Sequence, residues 1–393
     1  MPASEVEEVK KTAKKPAAAP VFEVAVNRDA LLDELSIASN VVEARTVVQV
    51  LTNVLFTAVE TGVLIHATDL DRSLRTHVPA KVKNTGSVAI PSRKLYDYVK
   101  LLPRGSEITI REMENHWVQI RSGRSVTKMI AMSSSNFPSL PQSGTAAIKL
   151  PVRAMRMLIA QTAYAISKTE SRYTLNGALL SVHPDKLVMV ATDGHRLALS
   201  ERHETIEGVK DPFNVIVPDK ALQDLDAMMS VTEEDCVSFA HDDRVLYFTL
   251  GYRQYTCKRL VGEFPNYAAV IPPSNNNHCI MSVSDLEQSI KRVSTFSDEK
   301  SGAVKMSISD NTLTVSAACV GSGESEETIE TAYTAPSVVI GFNASYLLEF
   351  LKTLDSKGTT RINLKDGSSA CLIEPFGENL ETRQICVLMP MRI

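Results

Sequence analysis

The densest group of reactive side-chain types in this 393-residue chain is Ala191-Thr-Asp-Gly-His-Arg-Leu-Ala198. A hydrolytic mechanism would make His195 a general base, orient it with Asp193 and use Ser181 or Ser200 as the nucleophile. The spacing opposes that mechanism. Asp193 and His195 stand two apart across a glycine, and the chain has no G-x-S-x-G nucleophile elbow. Asp193-Gly194 instead follows the apolar run Leu187 to Val190 and reads as a turn whose residues serve backbone needs. A turn there sets Thr192, His195 and Arg196 as a polar rim beside apolar Leu175 and Leu197, a combination suited to holding a short peptide.

The other candidate motifs carry less chemistry. Gly321-Ser-Gly-Glu-Ser-Glu326 lacks the Lys-Ser/Thr of a phosphate loop, and four acids follow within seven residues of Gly323, so phosphate would be repelled and the segment reads as a loop. Cys236, Cys257, Cys279, Cys319, Cys371 and Cys386 have no paired short spacing, which gives no zinc site and predicts reduced thiols in a cytoplasmic protein. The chain ends in an apolar strand, Ile385-Cys-Val-Leu-Met-Pro-Met-Arg-Ile393. Its terminal methionines suit a surface that accepts several partners.

The elements that must position these residues recur. Ser87 to Ile110, Phe213 to Phe239 and Ser337 to Leu364 each run apolar strand, turn residue, amphipathic helix, polar turn, strand. Ala67-Thr68-Asp69 and Ala191-Thr192-Asp193 are 124 apart, and Phe137-Pro138 and Phe264-Pro265 are 127 apart. Met389-Pro390 takes the Phe-Pro position of the third unit, 125 beyond Pro265. A repeat of this period governs the fold.

Each unit contains the strand-helix-strand pattern twice, which predicts an α+β fold of six helices against antiparallel sheets. The first helix of each unit has its apolar stripe: Ala30, Leu31, Leu35 and Ala38; Met155, Leu158, Ile159 and Thr162; Leu286, Ile290 and Val293. Thr312 to Ser316 and Arg361 to Lys365 alternate and are expected to be half-buried strands. Equal angles between tandem units would curve the chain into an arc or a closed ring. The units are expected at 21–144, 145–273 and 274–393, after an N-terminal extension over residues 1–20 that is rich in charge, Ala and Pro and reads as disordered.

With 44% hydrophobic and 22% charged residues the composition is that of a globular protein. The chain has no apolar run near the roughly 20 residues of a membrane span, and residues 1–20 hold no apolar core of a secretory signal. The formal net charge of −4 does not advertise nucleic-acid binding, but its distribution is uneven. Pro151 to Lys168 carries Arg153, Arg156 and Lys168 with no acid, and Ser92 to Gly105 carries Arg93, Lys94, Lys100 and Arg104 against Asp97. Asp219 to Met229 sets Lys220 against three aspartates. Helices of such mixed charge would hold a polyanion loosely.

Arg172-Tyr-Thr-Leu-Asn-Gly177, the 191–198 stretch, Phe264-Pro-Asn-Tyr267 with Ile271-Pro272, and Met389-Pro-Met-Arg392 together resemble the bacterial DNA polymerase III β subunits, the sliding clamps, over Val21 to Ile393. The resemblance implies three tandem clamp domains, each of two β-α-β-β-β halves. It implies a head-to-tail homodimer that closes a six-domain ring with helices inside and sheets outside. It further implies a non-catalytic subunit without cofactor or metal, which encircles duplex DNA at the nucleoid and confers processivity. The implied partners are the polymerase III α subunit, the clamp loader, and other polymerases and repair proteins that bind through short linear motifs.

Carried onto this sequence, the family's partner-peptide pocket falls on Leu175, Thr192, Gly194, His195, Arg196, Leu197, Pro265, Val270, Val387, Met389, Pro390, Met391 and Arg392. DNA contacts fall on Arg45 and on the loop from Thr169 to Arg172, with Lys94, Lys100, Arg153, Arg156 and Lys220 added on the helices by charge and position. The dimer seam falls around Thr127 and Met129 in the first unit and Thr295 and Phe296 in the third. Thr174 stands where the family commonly has an aromatic, and Ala268-Ala269 occupy a stretch that is often basic.

Overall fold

The computed structural model describes residues 22–43, 46–141, 148–169, 171–377 and 381–392. The extension over residues 1–20 and the candidate Arg45 lie outside the described residues. Six α-helices occur among them: α1 Arg28–Val41, α2 Ser92–Leu101, α3 Val152–Thr162, α4 Asp219–Ser230, α5 Val283–Val293 and α6 Ala344–Leu351. Each helix starts where a strand ends. Before α2, α3 and α4 the strand closes on Pro91, Pro151 or Pro218, which cannot extend a ladder as a donor. Before α1, α5 and α6 the side chain of Asn27, Ser282 or Asn343 accepts from first-turn N–H groups.

The expected stripes are the buried faces: Leu31, Leu35 and Ala38 of α1, all four positions of α3, and all three of α5 are buried, with Ala30 half-buried. Thr312–Cys319 alternates as expected. Thr359–Leu364 departs from the expected alternation because Asn363 is buried as well, its amide donating to Glu374 Oε1 at 2.7 Å.

The described residues fall into two compact units, one made of those from 22 to 67 with Thr76–Ser139, the other of Thr68–Arg75 with those from 140 to 392. In the first, Glu23–Asn27 lies between residues 80–84 and Glu107–Glu112, followed by Trp117–Ser122 and, at the sheet edge, Ser125–Ile130. Asn53–Val59 lies between Gly62–Thr68 and Gly86–Pro91. Buried Arg28 at the start of α1 donates to the carbonyls of Val99 and Lys100 at 3.1 and 2.5 Å, setting a cation at the negative end of α2.

The second unit holds an eight-stranded antiparallel sheet. Its order is Phe213–Pro218, Gly177–Val182, Lys186–Thr192, Arg196–His203, Arg383–Leu388, Cys371–Phe376, Thr359–Leu364, Asn277–Ser282. The second and third repeats meet inside it, in register from Arg196 opposite Leu388 to Glu201 opposite Arg383. Gly177–Val182 is buried at every position because both faces of the sheet are covered there, so it shows no alternation. A four-stranded sheet runs Gly323–Glu330, Thr312–Cys319, Ala303–Ser309, Val338–Asn343. A further run, Ile148–Pro151, Cys236–His241, Val245–Leu250, Arg253–Lys258, ends by pairing Gln254 to Cys257 with Arg75 to Arg72.

Every repeat therefore uses one strand order twice, and in the first two repeats the strand after the central turn joins the next repeat. Residues 72–75 join Arg253–Lys258, and Arg196–His203 joins Arg383–Leu388. Gly323–Glu330 and Ser125–Ile130, the corresponding strands that remain, are sheet edges.

Candidate functional site

The turn at 193–195 sits where the eight-stranded sheet crosses from the second repeat to the third. Leu197 and Val387 are cross-strand neighbours there and form the floor of an apolar cavity of about 260 Å³. Both are nearly fully buried and belong to one cluster with Val190, Leu199 and Ile385. Leu175 closes one side. The segment from Phe264 to Ile271 crosses the sheet, so that Pro265, Tyr267 and Val270 supply the opposite wall. Met389 stands at the mouth, 39% exposed, its N–H donating to His195 O at 3.0 Å.

The polar rim is Thr192, Gly194, His195, Arg196 and Arg172. Gly194 has φ 89°, which glycine adopts without strain, and a Cβ there would lie 2.0 Å from Arg172 Nη1, so a side chain at 194 would displace the guanidinium that crosses the turn. Arg172 Nη1 donates to Asp193 O at 2.8 Å. The His195 ring stacks on Tyr346 at 6.4 Å between centroids.

Asp193 does the work of a turn. Its Oδ1 accepts the N–H groups of His195 and Arg196 at 2.9 and 3.0 Å, and its Oδ2 accepts Arg196 Nε at 3.1 Å. Ser181 Oγ pairs with His183, and Ser200 Oγ donates to Gln161, so neither serine addresses His195. Under the floor, burial pushes the Cys386 thiol up to about 12 and the Tyr164 hydroxyl well above its ordinary value. These groups stay neutral, and the site offers shape, apolar surface and fixed hydrogen-bonding groups.

Ten of the thirteen residues expected in a pocket share this cavity wall. Pro390, Met391 and Arg392 do not line it, because Met391 N–H donates to Gly341 O at 2.8 Å and turns the chain end onto Val338–Asn343. Arg172, expected among DNA contacts, lies in the wall. Tyr267 joins the wall although it was expected only as part of a motif; its aromatic type next to Phe264-Pro265 was the available signal.

The remaining candidates are dispersed. Lys94 and Lys100 are exposed on α2, and Lys220 is exposed on α4. Arg153 on α3 pairs with Glu381 at 2.8 Å, and Arg156 pairs with Asp226 at 3.1 Å. Thr169 is exposed. Thr127 and Met129 lie half-buried on the edge strand Ser125–Ile130, and Thr295 and Phe296 are exposed after α5. No group of three or more potential metal ligands occurs among the described residues, and no helix there is long and apolar enough to cross a membrane.

Comparison with known proteins accounts for this arrangement. Residues 22–141, 149–266 and 268–392 match, in turn, the N-terminal, central and C-terminal domains of the DNA polymerase III beta subunit. The beta sliding clamp of Pseudomonas putida is 31% identical over 370 residues, covering 94% of this chain and 99% of the relative. Crystal structures of sliding clamps bound to griselimycin superpose closely. That from Pseudomonas aeruginosa has TM-score 0.85 and 31% identity over 95% of this chain and 100% of that one. That from Bartonella birtlesii has TM-score 0.87 and 33% identity over the same shares. With three tandem clamp domains, this chain belongs to the DNA polymerase III beta subunit family, the sliding clamps, which are non-catalytic processivity subunits.

Proposed function

We propose that two copies of this sliding clamp join head to tail and close a six-domain ring around duplex DNA. In this reading the domains divide near residues 144 and 273, the helices face the DNA, and the ring works on the chromosome in the cytoplasm. The observation that carries the assembly is the repeat topology. Both joints within the chain add the strand after a central turn to the next sheet, and Gly323–Glu330 and Ser125–Ile130 are the two edges left for a third joint of the same kind. Their charges are complementary: Glu324, Glu326 and Glu330 on one edge, where Glu327 is already paired with Arg292, and Arg121, Arg124 and Lys128 on or beside the other. Thr127, Met129, Thr295 and Phe296 would lie in that seam.

The DNA contacts would be few and weak, from Arg45, Lys94, Lys100, Arg153, Arg156, Thr169, Arg172 and Lys220. Arg153 and Arg156 already hold carboxylates, so a phosphate must compete for them. Enclosure replaces affinity, and a loosely held duplex slides. The apolar cavity would take short peptide segments of the polymerase, the clamp loader and repair proteins, with apolar side chains on the Leu197–Val387 floor and Pro390 to Arg392 beside the mouth.

Release from DNA tests the topology. Protein loaded on nicked circular DNA should leave once the circle is linearised, and equal retention on both forms overturns enclosure. Light scattering should give twice the chain mass at micromolar concentration. Deletion of residues 389–393 should abolish peptide binding and leave that mass unchanged.

A further inference from the structure

The turn at the cavity rim has a twin. Thr192 Oγ1 donates to Arg196 O at 2.6 Å and accepts Gly194 N–H at 3.1 Å; Thr68 Oγ1 donates to Arg72 O at 2.7 Å and accepts Leu70 N–H at 3.0 Å. Asp69 Oδ1 accepts the N–H groups of Asp71 and Arg72 at 3.0 and 2.6 Å, and its Oδ2 accepts Arg72 Nε at 2.9 Å, as Asp193 does for His195 and Arg196. Even the backbone matches, with φ 89° at Gly194 and 75° at Leu70. Nη1 of each arginine then reaches a carboxylate at the sixth position of a helix: Asp224 in α4 and Glu349 in α6.

The third such hairpin turns through Val320-Gly321-Ser322, with neither carboxylate nor guanidinium, and its second strand is a sheet edge. A hairpin of this fold therefore forms without the bracket. The bracket occurs where the strand after the turn adds to the sheet of the following repeat.

At the cavity, Arg196 is held from within. Its side chain is 6% exposed, it contacts Asp193 and Glu349, Nη2 donates to Tyr164 O at 2.5 Å, and the guanidinium lies over the rings of Tyr346 and Tyr164 at 4.3 and 5.2 Å. Two carboxylates offset its charge, three of its five N–H donors are engaged, and burial keeps the guanidinium away from a ligand. We infer that Arg196 is a positioning residue for peptide recognition: it fixes the rim carrying Thr192, Gly194 and His195 against α6 and does not itself bind the peptide. This rests on the peptide reading of the cavity. Lysine cannot take over the role, because an ammonium lacks the planar fork that spans Asp193 and Glu349 while stacking on Tyr346.

The test compares R196K with R72K, which damages the same bracket at residues that do not line the cavity. A short labelled peptide with leucine and phenylalanine anchors is titrated in two forms, one with an acidic flanking residue and one with a neutral residue there, and amide exchange is followed at 192–196. R196K should weaken both peptides by the same factor, roughly tenfold, and speed exchange of the His195 and Arg196 amides. R72K should leave both affinities unchanged. Glu349→Gln, at a half-exposed carboxylate, should weaken both peptides equally by a smaller factor and serves if R196K does not fold. Three results overturn the inference: affinity unchanged in R196K or, where that variant does not fold, in Glu349→Gln; loss confined to the acidic peptide; or equal loss from R72K. A parent protein that binds neither peptide overturns the cavity reading itself.

Discussion

The Arg72 guanidinium meets the Asp224 carboxylate at 2.6 Å, with less than a tenth of either side chain exposed. The same carboxylate oxygen accepts the Tyr255 hydroxyl at 2.8 Å, and Asp69 holds the other edge of the guanidinium. Burial pushes the Asp224 carboxyl up, and Arg72 and Tyr255 offset only part of that rise. Asp224→Ala leaves the cation buried beside an orphaned hydroxyl. We expect the unfolding free energy of the second unit to fall by about 3–5 kcal/mol, read from urea denaturation. Asp224→Asn, which keeps an acceptor, should lose less. A loss under about 1 kcal/mol for the alanine variant would show that water replaces the carboxylate.

The repeat was legible in the sequence because its signals are local: a strand closing on Pro91, Pro151 or Pro218, then apolar residues three and four apart. The cavity floor was legible through Leu175, Leu197 and Val387, which carry the resemblance as well as the apolar character. The buried polar pairs were not. Glu34 accepts from Thr76, 42 residues on, and Asp224 accepts from Arg72, 152 residues back. Such groups are tolerated inside only because distant partners satisfy them, and no local pattern announces those partners. Arg172 shows the same limit from the other side. Its charge is plain in the sequence, but its place in the cavity wall depends on Gly194 leaving room across the turn.

Tyr267 offers the simplest check on the cavity wall. It is half-buried, packs on the cluster beneath Leu197 and Val387, and comes from the crossing segment, not from the sheet. Tyr267→Ala should weaken anchored peptides by about tenfold, in the range expected for an aromatic at the centre of an interface, as measured by fluorescence anisotropy. The sheet beneath it is intact in the variant, so the thermal midpoint should hardly move. Unchanged affinity would take Tyr267 out of the site.

The six thiols should divide by accessibility. Burial pushes Cys386 up to about 12 and Cys279 up to about 11, and it also raises Cys257 and Cys371. A raised thiol pKa keeps the neutral form at every lower pH, and the thiolate is the reactive species. At pH 8 a chromogenic disulfide reagent should label Cys236 and Cys319, which are partly exposed, and reach the other four only after denaturation. Rapid native labelling of Cys279, Cys371 or Cys386 would mean that the eight-stranded sheet opens on that timescale, and of Cys257 that the strand Arg253–Lys258 does.

Charge reversal separates a two-seam ring from any other dimer. If Lys128 on one edge faces the acidic edge that carries Glu326, then K128E alone sets acid against acid at both seams of its own dimer, and E326K alone sets base against base. Each variant should dissociate at concentrations where the parent stays dimeric, with the defect smaller at high salt because the charges lie at the rim. Mixing the two variants restores opposite charges at both seams at once. The pair of residue 128 as Glu with 326 as Lys forms at one seam, and the original pair forms at the other. Native mass spectrometry of the mixture should therefore show the mixed dimer in excess over both parents. A statistical mixture, or no dimer, would mean that these two edges do not meet.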